Sequence, residues 1–291
     1  MRGRMKGKAQ RGNFLGLSLI AAITGAGSGI GQQLALQLAA QGCHLALSDM
    51  NEQGLAETLA LLKQYPVEVS LSRVDVANKD QVYAWAEESF LHFGRINLIF
   101  NNAGVALASS VEGMTYDEME WIFNINFWGV VYGTKAFLPY LKQSGEGHII
   151  NTSSLFGLTA QPTQSAYNAT KFAVRGFTEA LRQELDIEAC NVSVTCVHPG
   201  GIRTNIANNA KMSDSIRSLG LNPEKASRSF NKVLKTPPED AAKVILKAVQ
   251  HNQARVLIGN DAKILDLIQR ITPTRYAQAM NYLTRKKTKR K

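Results

Sequence analysis

A doubly wound α/β fold, one parallel sheet with helices on both faces, is what this sequence predicts. Two observations carry the prediction. Short apolar runs alternate with segments of helical period from residue 18 to residue 260, and the first of these runs passes directly into a glycine-rich turn. Size and composition agree: 291 residues with 45% hydrophobic and 19% charged side chains suit a single large domain with its own core. No internal repeat or low-complexity linker divides the chain.

The elements follow in order. Residues 17–23 form a short apolar run ending in glycine, a buried strand before a turn. Residues 30–41 place Ile30, Leu34 and Leu38 on one face with Ala35 and Ala39 between them, a helix. Residues 44–47 are a second strand, ended by Ser48-Asp49, and 52–64 a helix stopped by Pro66. A third strand spans 67–74, a helix closed by Gly94 spans 79–93, and a fourth strand spans 96–100. The rhythm then repeats. A long helix covers 116–141 with Pro139 near its end, a strand covers 148–151, and a second long helix covers 165–188. The β-branched run 192–197 stops before Pro199, a helix over 239–250 enters through Pro237-Pro238, and 255–258 close a set of seven strands. Residues 205–236, polar and mixed in pattern, sit where such a sheet carries a substrate-covering loop. Residues 261–284 read as a final amphipathic helix broken near Pro273.

The formal charge of +10 is not spread over the fold. Arg2, Arg4, Lys6, Lys8 and Arg11 make residues 1–16 a basic tail, and Arg285, Lys286, Lys287, Lys289, Arg290 and Lys291 end the chain. Everything else holds 22 bases against 23 acids. A near-neutral body excludes a nucleic-acid-binding domain, whose basic stripe would lie on the fold itself. The tails read as solvated, or as weak contacts with an anionic membrane surface. The chain thus divides into a tail (1–16), a catalytic unit (17–260) and a C-terminal amphipathic segment with its own basic tail (261–291). No apolar stretch reaches the ~20 residues that span a bilayer. The apolar residues after the basic start run straight into the glycine turn, so they read as a strand rather than a signal peptide. Cys43, Cys190 and Cys196 form no CxxC pair and no disulfide framework, which points to a reducing, cytoplasmic setting. No Cys/His cluster has ligand spacing, so no metal is expected.

Gly25, Gly29 and Gly31 occupy the first strand–helix turn, with Ser28 and Ile30 between them. Glycines there permit a tight turn and let the backbone approach a pyrophosphate at a helix N-terminus, where N–H groups and the dipole favour negative charge. This is the start of a Rossmann-like unit. Asp49 stands at the end of the second strand, 18 residues after Gly31. A carboxylate there accepts hydrogen bonds from both ribose hydroxyls of NAD and repels the 2′-phosphate of NADP. Neighbours Ala26, Ser28, Ser48 and Met50 include no Arg or Lys to receive that phosphate, so the expected cofactor is NAD rather than NADP. A helix N-cap is the alternative role for Asp49.

Six motifs now stand in sequence: Thr24-Gly25-x-x-x-Gly29-x-Gly31, Asp75-Val76, Asn101-Asn102-Ala103-Gly104, Asn126, Ser154 with Tyr167-x-x-x-Lys171, and Pro199-Gly200. In that order they resemble the short-chain dehydrogenase/reductase family over residues 17–260. Tyr167 and Lys171 lie four apart on one helix, hence on one face. A free tyrosine, with a pKa of ~10, is a poor base at neutral pH. A nearby ammonium and a positive nicotinamide ring favour the phenolate, so Tyr167 is expected to exchange the alcohol proton while hydride moves to or from the cofactor. Ser154, 13 residues upstream after a strand end, takes the family position for a hydroxyl that stabilises charge on the substrate oxygen; Ser153 is its rival.

The resemblance implies the remaining roles. Lys171 also holds the nicotinamide ribose. Asn126 binds a helix carbonyl and a water, relaying protons from Lys171, with Asn124 as competitor. Asp75 and Val76 flank the adenine, Asn102, Ala103 and Gly104 line the cofactor, and Pro199, Gly200, Ile202 and Thr204 face the carboxamide and pyrophosphate. His198 and Cys196 read as packing or backbone-capping residues. Ile206, Met212, Ile216, Leu219, Leu221 and Phe230 suggest a pocket for an apolar secondary alcohol or ketone. The family assembles as dimers or tetramers through its two long helices, so a homo-oligomer is expected. A catalytically silent nucleotide-binding scaffold, and a peripheral-membrane enzyme acting on lipid-like alcohols, are the other readings.

Overall fold

The computed structural model describes residues 19–206, 208–278 and 281. Both basic tails therefore lie outside the described residues. Seven strands form one parallel sheet: β1 (Ile20–Thr24), β2 (His44–Asp49), β3 (Val69–Arg73), β4 (Leu98–Asn101), β6 (Gly147–Thr152), β7 (Val192–Pro199) and β9 (Arg255–Ile258). A short β5 (Leu107–Ala108) and β8 (Lys211–Met212) pair separately. The large sheet runs β3-β2-β1-β4-β6-β7-β9, so its order reverses between β1 and β4. At such a switch point the connections leave in opposite directions and open a crevice beyond the strand ends.

Alternation along each strand builds two cores. On β1, Ala21 and Ile23 face one side and Ile20 and Ala22 the other. The first side packs on α1 (Gly29–Ala39), α2 (Glu52–Leu62) and α8 (Pro238–Gln250) through Leu34, Leu38, Leu55 and Ile245. The second packs on α3 (Lys79–Phe93), α5 (Gly129–Gln143) and α6 (Ser165–Glu188), where Trp85 meets Phe137 edge-on with ring centroids 4.9 Å apart. Gly94 closes α3 in the left-handed region, φ 75°, as a helix-ending glycine does.

Three segments depart from the sequence expectation. The long helix near residue 116 is α4 (Tyr116–Phe123) and α5 joined by one π-helical turn, Asn124–Trp128. That widened turn has no periodic signature in sequence, and it places Asn126 in the interior. Residues 205–236 are not an irregular loop. They hold β8, a 3-10 turn (Asp214–Leu219) and α7 (Pro223–Val233), whose polar surface hid its helical period. Ser215 ties this segment down: its Oγ lies 2.9 Å from Ser109 Oγ and accepts from Ser110 N at 3.0 Å. The final amphipathic stretch begins as α9 (Asn260–Ile271), and a turn at Thr272–Thr274 breaks it around Pro273 as expected.

Candidate active site

The β1–α1 turn shows why it is glycine-rich. Gly25 and Gly29 adopt φ of 67° and 55°, where side chains are strained. A Cβ on Gly29 would also sit 2.9 Å from the Thr204 methyl. Gly31 serves packing: a Cβ there would overlap the Gly25 carbonyl, and Gly31 does not line the cleft. Ser28, at the N-cap of α1, makes no side-chain capping bond, so the first N–H groups of α1 keep no capping partner. Thr24 fastens the turn to β4. Its hydroxyl accepts from Asn102 N at 2.9 Å and Ala103 N at 3.0 Å, and Asn102 Nδ2 donates to the Thr24 carbonyl at 3.1 Å.

Asp49 ends β2 beside this turn. Its Oδ2 accepts from Gly27 N and its Oδ1 from Asn51 N, both at 2.9 Å. Asp49 is not the N-cap of α2; Asn51 is, accepting from Gly54 N at 3.1 Å. Each Asp49 oxygen keeps further acceptor capacity toward the cleft that it lines. Asp75 lines the same cleft, its carboxylate accepting from Ala77 N at 2.9 Å, with Val76 buried next to it.

Across the cleft, β6 and α6 supply the reactive groups. Lys171 Nζ donates to the Thr152 carbonyl at 3.0 Å and lies 5.7 Å from the centre of the Tyr167 ring. Tyr167 packs edge-on to Phe156. Burial drives the Lys171 amine down from 10.5 to about 8. It also raises the Tyr167 hydroxyl above its ordinary value, with the Ser154 hydroxyl bond acting in the opposite sense. Withdrawal from water outweighs the Ser154 hydrogen bond, so the phenol holds its proton more firmly than a free tyrosine. The rival serine is spoken for, since Ser153 Oγ donates to the Lys171 carbonyl at 2.7 Å.

Asn126 departs from its expected bond. Its Nδ2 donates to the Val105 carbonyl at 2.9 Å and its Oδ1 accepts from Val105 N at 2.8 Å, so it holds a loop rather than a helix carbonyl. That loop starts at Gly104, where a Cβ would fall 3.1 Å from Asn126 Oδ1 and 3.5 Å from Lys171 Nζ. On the last wall, Ile202 is buried, and Gly201 N donates to Asp261 Oδ2 at 2.7 Å.

His198 is a residue whose partner the sequence did not reveal. It is fully buried, with Nδ1 2.9 Å from the Ser154 carbonyl and Nε2 3.3 Å from Cys196 Sγ. Burial lowers its pKa to about 4, so the ring is neutral at pH 7. A carbonyl only accepts, so Nδ1 carries the hydrogen and Nε2 faces the thiol. Burial pushes that thiol up to about 12, which keeps it protonated and inert. The contact spans 44 residues, and nothing local in the sequence announces it.

These groups line one cleft of about 420 Å³, which contains Gly25, Asp49, Asn102, Ser154, Tyr167, Lys171, Pro199 and Thr204. Of the apolar residues expected to form a substrate pocket, Ile206 and Phe230 line it, joined by Val233 and Leu234. Met212, Ile216, Leu219 and Leu221 do not line it; Ile216 is buried in the packing of its own segment. Among the described residues no group of His, Cys, Asp and Glu could hold a metal ion.

A family model described as short chain dehydrogenase matches residues 19–214. SadH of Mycobacterium tuberculosis, assigned as an oxidoreductase, is 48% identical over 258 residues, which are 88% of this chain and 92% of the relative. Human estradiol 17-beta-dehydrogenase 11 is 30% identical over 258 residues, 88% and 80% of the two chains. Among solved structures, a short chain dehydrogenase/reductase from Burkholderia phymatum in complex with NAD superposes with a TM-score of 0.82 at 29% identity, covering 88% of this chain and 94% of that one. Levodione reductase superposes at 0.73 with 28% identity, covering 86% and 98%.

Proposed function

Because the chain belongs to the short-chain dehydrogenase/reductase family, we propose that this oxidoreductase exchanges a hydride between NAD(H) and an apolar secondary alcohol or ketone. One observation carries the reading: Tyr167, Ser154 and Lys171 converge in the same cleft as the glycine turn and Asp49. The residues fit a nicotinamide dinucleotide. Gly25, Ser28, Gly29 and Ile30 bring an uncapped helix N-terminus to the cleft, where a pyrophosphate is favoured. Asp49 has acceptor capacity for ribose hydroxyls and would repel a 2′-phosphate, which supports NAD over NADP.

When bound, the nicotinamide accepts or gives the hydride. The protein handles the proton. In reduction, the Tyr167 hydroxyl protonates the carbonyl oxygen; burial keeps that proton on the phenol until then. In oxidation the same oxygen, as the phenolate that the Lys171 ammonium favours, takes the alcohol proton and becomes the phenol. Ser154 Oγ hydrogen-bonds the substrate oxygen and stabilises charge there. Asn126 acts through Val105, holding Gly104 against Lys171. Ile206, Phe230, Val233 and Leu234 make the substrate end of the cleft apolar. The stretch from α4 through its π turn to α5, and α6, leave Tyr116, Trp128 and Phe172 exposed, which favours self-association as a dimer or tetramer through them.

The test is absorbance of the reduced nicotinamide on mixing the protein with NAD and a panel of secondary alcohols, with Tyr167→Phe in parallel. Turnover by the wild type and a loss of about 10²-fold or more in the variant is expected. Equal turnover by both removes Tyr167 from the mechanism. Calorimetric titration with NAD and with NADP reads the cofactor preference separately from the chemistry.

A further inference from the structure

The helix α9 is amphipathic in the wrong sense for a surface helix. Its inward face presents Ala262 and Asp266, and Asp266 is only 8% exposed, with its carboxylate accepting from Arg270 Nε at 2.8 Å. Its outward face is a stripe of Ile264, Leu267, Ile268 and Ile271, exposed by 57%, 57%, 40% and 70%. The spacing is that of one continuous helical stripe. A helix facing only water would bury these four and expose the acid, so a stripe of this kind marks a face that another surface covers.

The charge of the adjoining chain says which surface. Residues 272–291 carry Arg275, Arg285, Lys286, Lys287, Lys289, Arg290 and Lys291 and no acid. On the structure, exposed Lys225, Arg228 and Lys232 run along α7 at helical spacing. Helix α7 and α9 meet at Gly201, whose N–H bonds Asp261 of α9 and whose Cα leaves no room for a Cβ against the Val233 carbonyl of α7. Apolar side chains beside a cluster of bases match the chemistry of an anionic bilayer, which takes the former into its acyl boundary and the latter among its headgroups. A second copy of this chain fits less well. A two-fold contact through α9 would bring two such cationic segments together.

We propose that the outward face of α9, with the basic chain that follows it, docks this protein on an anionic lipid surface. The proposal does not depend on the dehydrogenase reading. The helix is fastened to the cleft wall through Asp261 to Gly201, and the chain just after it is held by Tyr276, whose hydroxyl accepts from Ala160 N at 3.1 Å. Docking therefore sets the cleft at a fixed orientation to the lipid.

The experiment is cosedimentation of the full chain with vesicles of phosphatidylcholine alone and of phosphatidylcholine mixed with phosphatidylserine. Two variants accompany the wild type: Ile264→Asn/Leu267→Asn/Ile271→Asn, and a chain whose six bases in 285–291 are glutamine. The wild type is expected to bind only the anionic vesicles and to release as salt rises. Each variant is expected to lose about tenfold or more of the partitioning, with an unchanged melting midpoint showing that it folds. No binding to anionic vesicles at low salt overturns the proposal. It is equally overturned if the α9 variant binds vesicles like the wild type but sediments as a smaller species, because the stripe is then a subunit contact.

Discussion

Lys171→Met separates the chemistry of the site from the stability of the fold. Burial pulls the Lys171 amine from 10.5 to about 8, so at pH 7 it is still mainly an ammonium, held in the native state against its desolvation. That displacement corresponds to about 3 kcal/mol of native-state destabilisation at pH 7. The folded value lies below the unfolded one. Between the two the unfolded chain binds more protons, so this group's contribution to stability rises with pH across about 8 to 10.5. Below about 8 the penalty is nearly complete, and by about pH 10 only about 1 kcal/mol of it remains. Methionine keeps the length and removes the charge. It also deprives the Thr152 carbonyl of its 3.0 Å donor, which returns about 1 kcal/mol of cost. The variant is therefore expected to be about 2 kcal/mol more stable at pH 7 and about equal to the wild type at pH 10. The first difference is about 3 °C in melting midpoint. Thermal unfolding of both proteins across this range reads it, and turnover in parallel should fall by about 10²-fold or more. A variant less stable than the wild type at pH 7, or an advantage that does not shrink as pH rises, refutes the account of a charged lysine held against burial.

Three further outcomes are expected. Asp49→Ala with Met50→Arg should lower kcat/KM with NAD by about tenfold or more and raise it with NADP, because the repelling carboxylate is replaced by a cation; an unchanged ratio of the two values removes Asp49 from cofactor choice. His198→Leu should cut kcat by about tenfold with little change in NAD affinity, since it frees the Ser154 carbonyl, whereas His198→Asn, which can place an N–H near the same carbonyl, should recover most of the loss; equal defects in both would mean that the ring only packs. Gly133→Ala should destabilise the fold by about 2 kcal/mol, because the added methyl overlaps Asn101 Oδ1 while Asn101 Nδ2 is tied to Asn151 at 2.8 Å and Thr134 at 3.1 Å; an unchanged urea midpoint would show that this network yields.

Features with a local cause were legible in the sequence. All seven strands of the main sheet were, because each is a short apolar, β-branched or alternating run bounded by Gly, Pro or Asp. The glycine turn was, because Gly25 and Gly29 answer to backbone conformation and close approach. So was the pairing of Tyr167 with Lys171, because four residues along a helix is one turn. What depended on packing was not legible. The π turn under Asn126 and the clip between Ser109 and Ser215 leave no periodic trace. Asn51 and Asp49 are both good caps two residues apart, and only the fold assigns the cap to Asn51 and gives Asp49 to the Gly27 amide.

Protonation divides along the same line. Residue types at fixed spacing determined by themselves that a phenol, an ammonium and a hydroxyl would share a cleft with a glycine turn. Tertiary structure alone decided how they titrate, because desolvation depends on everything packed around a group. Burial lifts the Tyr167 hydroxyl, lowers the Lys171 amine and leaves His198 neutral against the Ser154 carbonyl. It also decided that the apolar side of α9 faces away from the core, since a helical period fixes which residues share a face but not which face the protein covers.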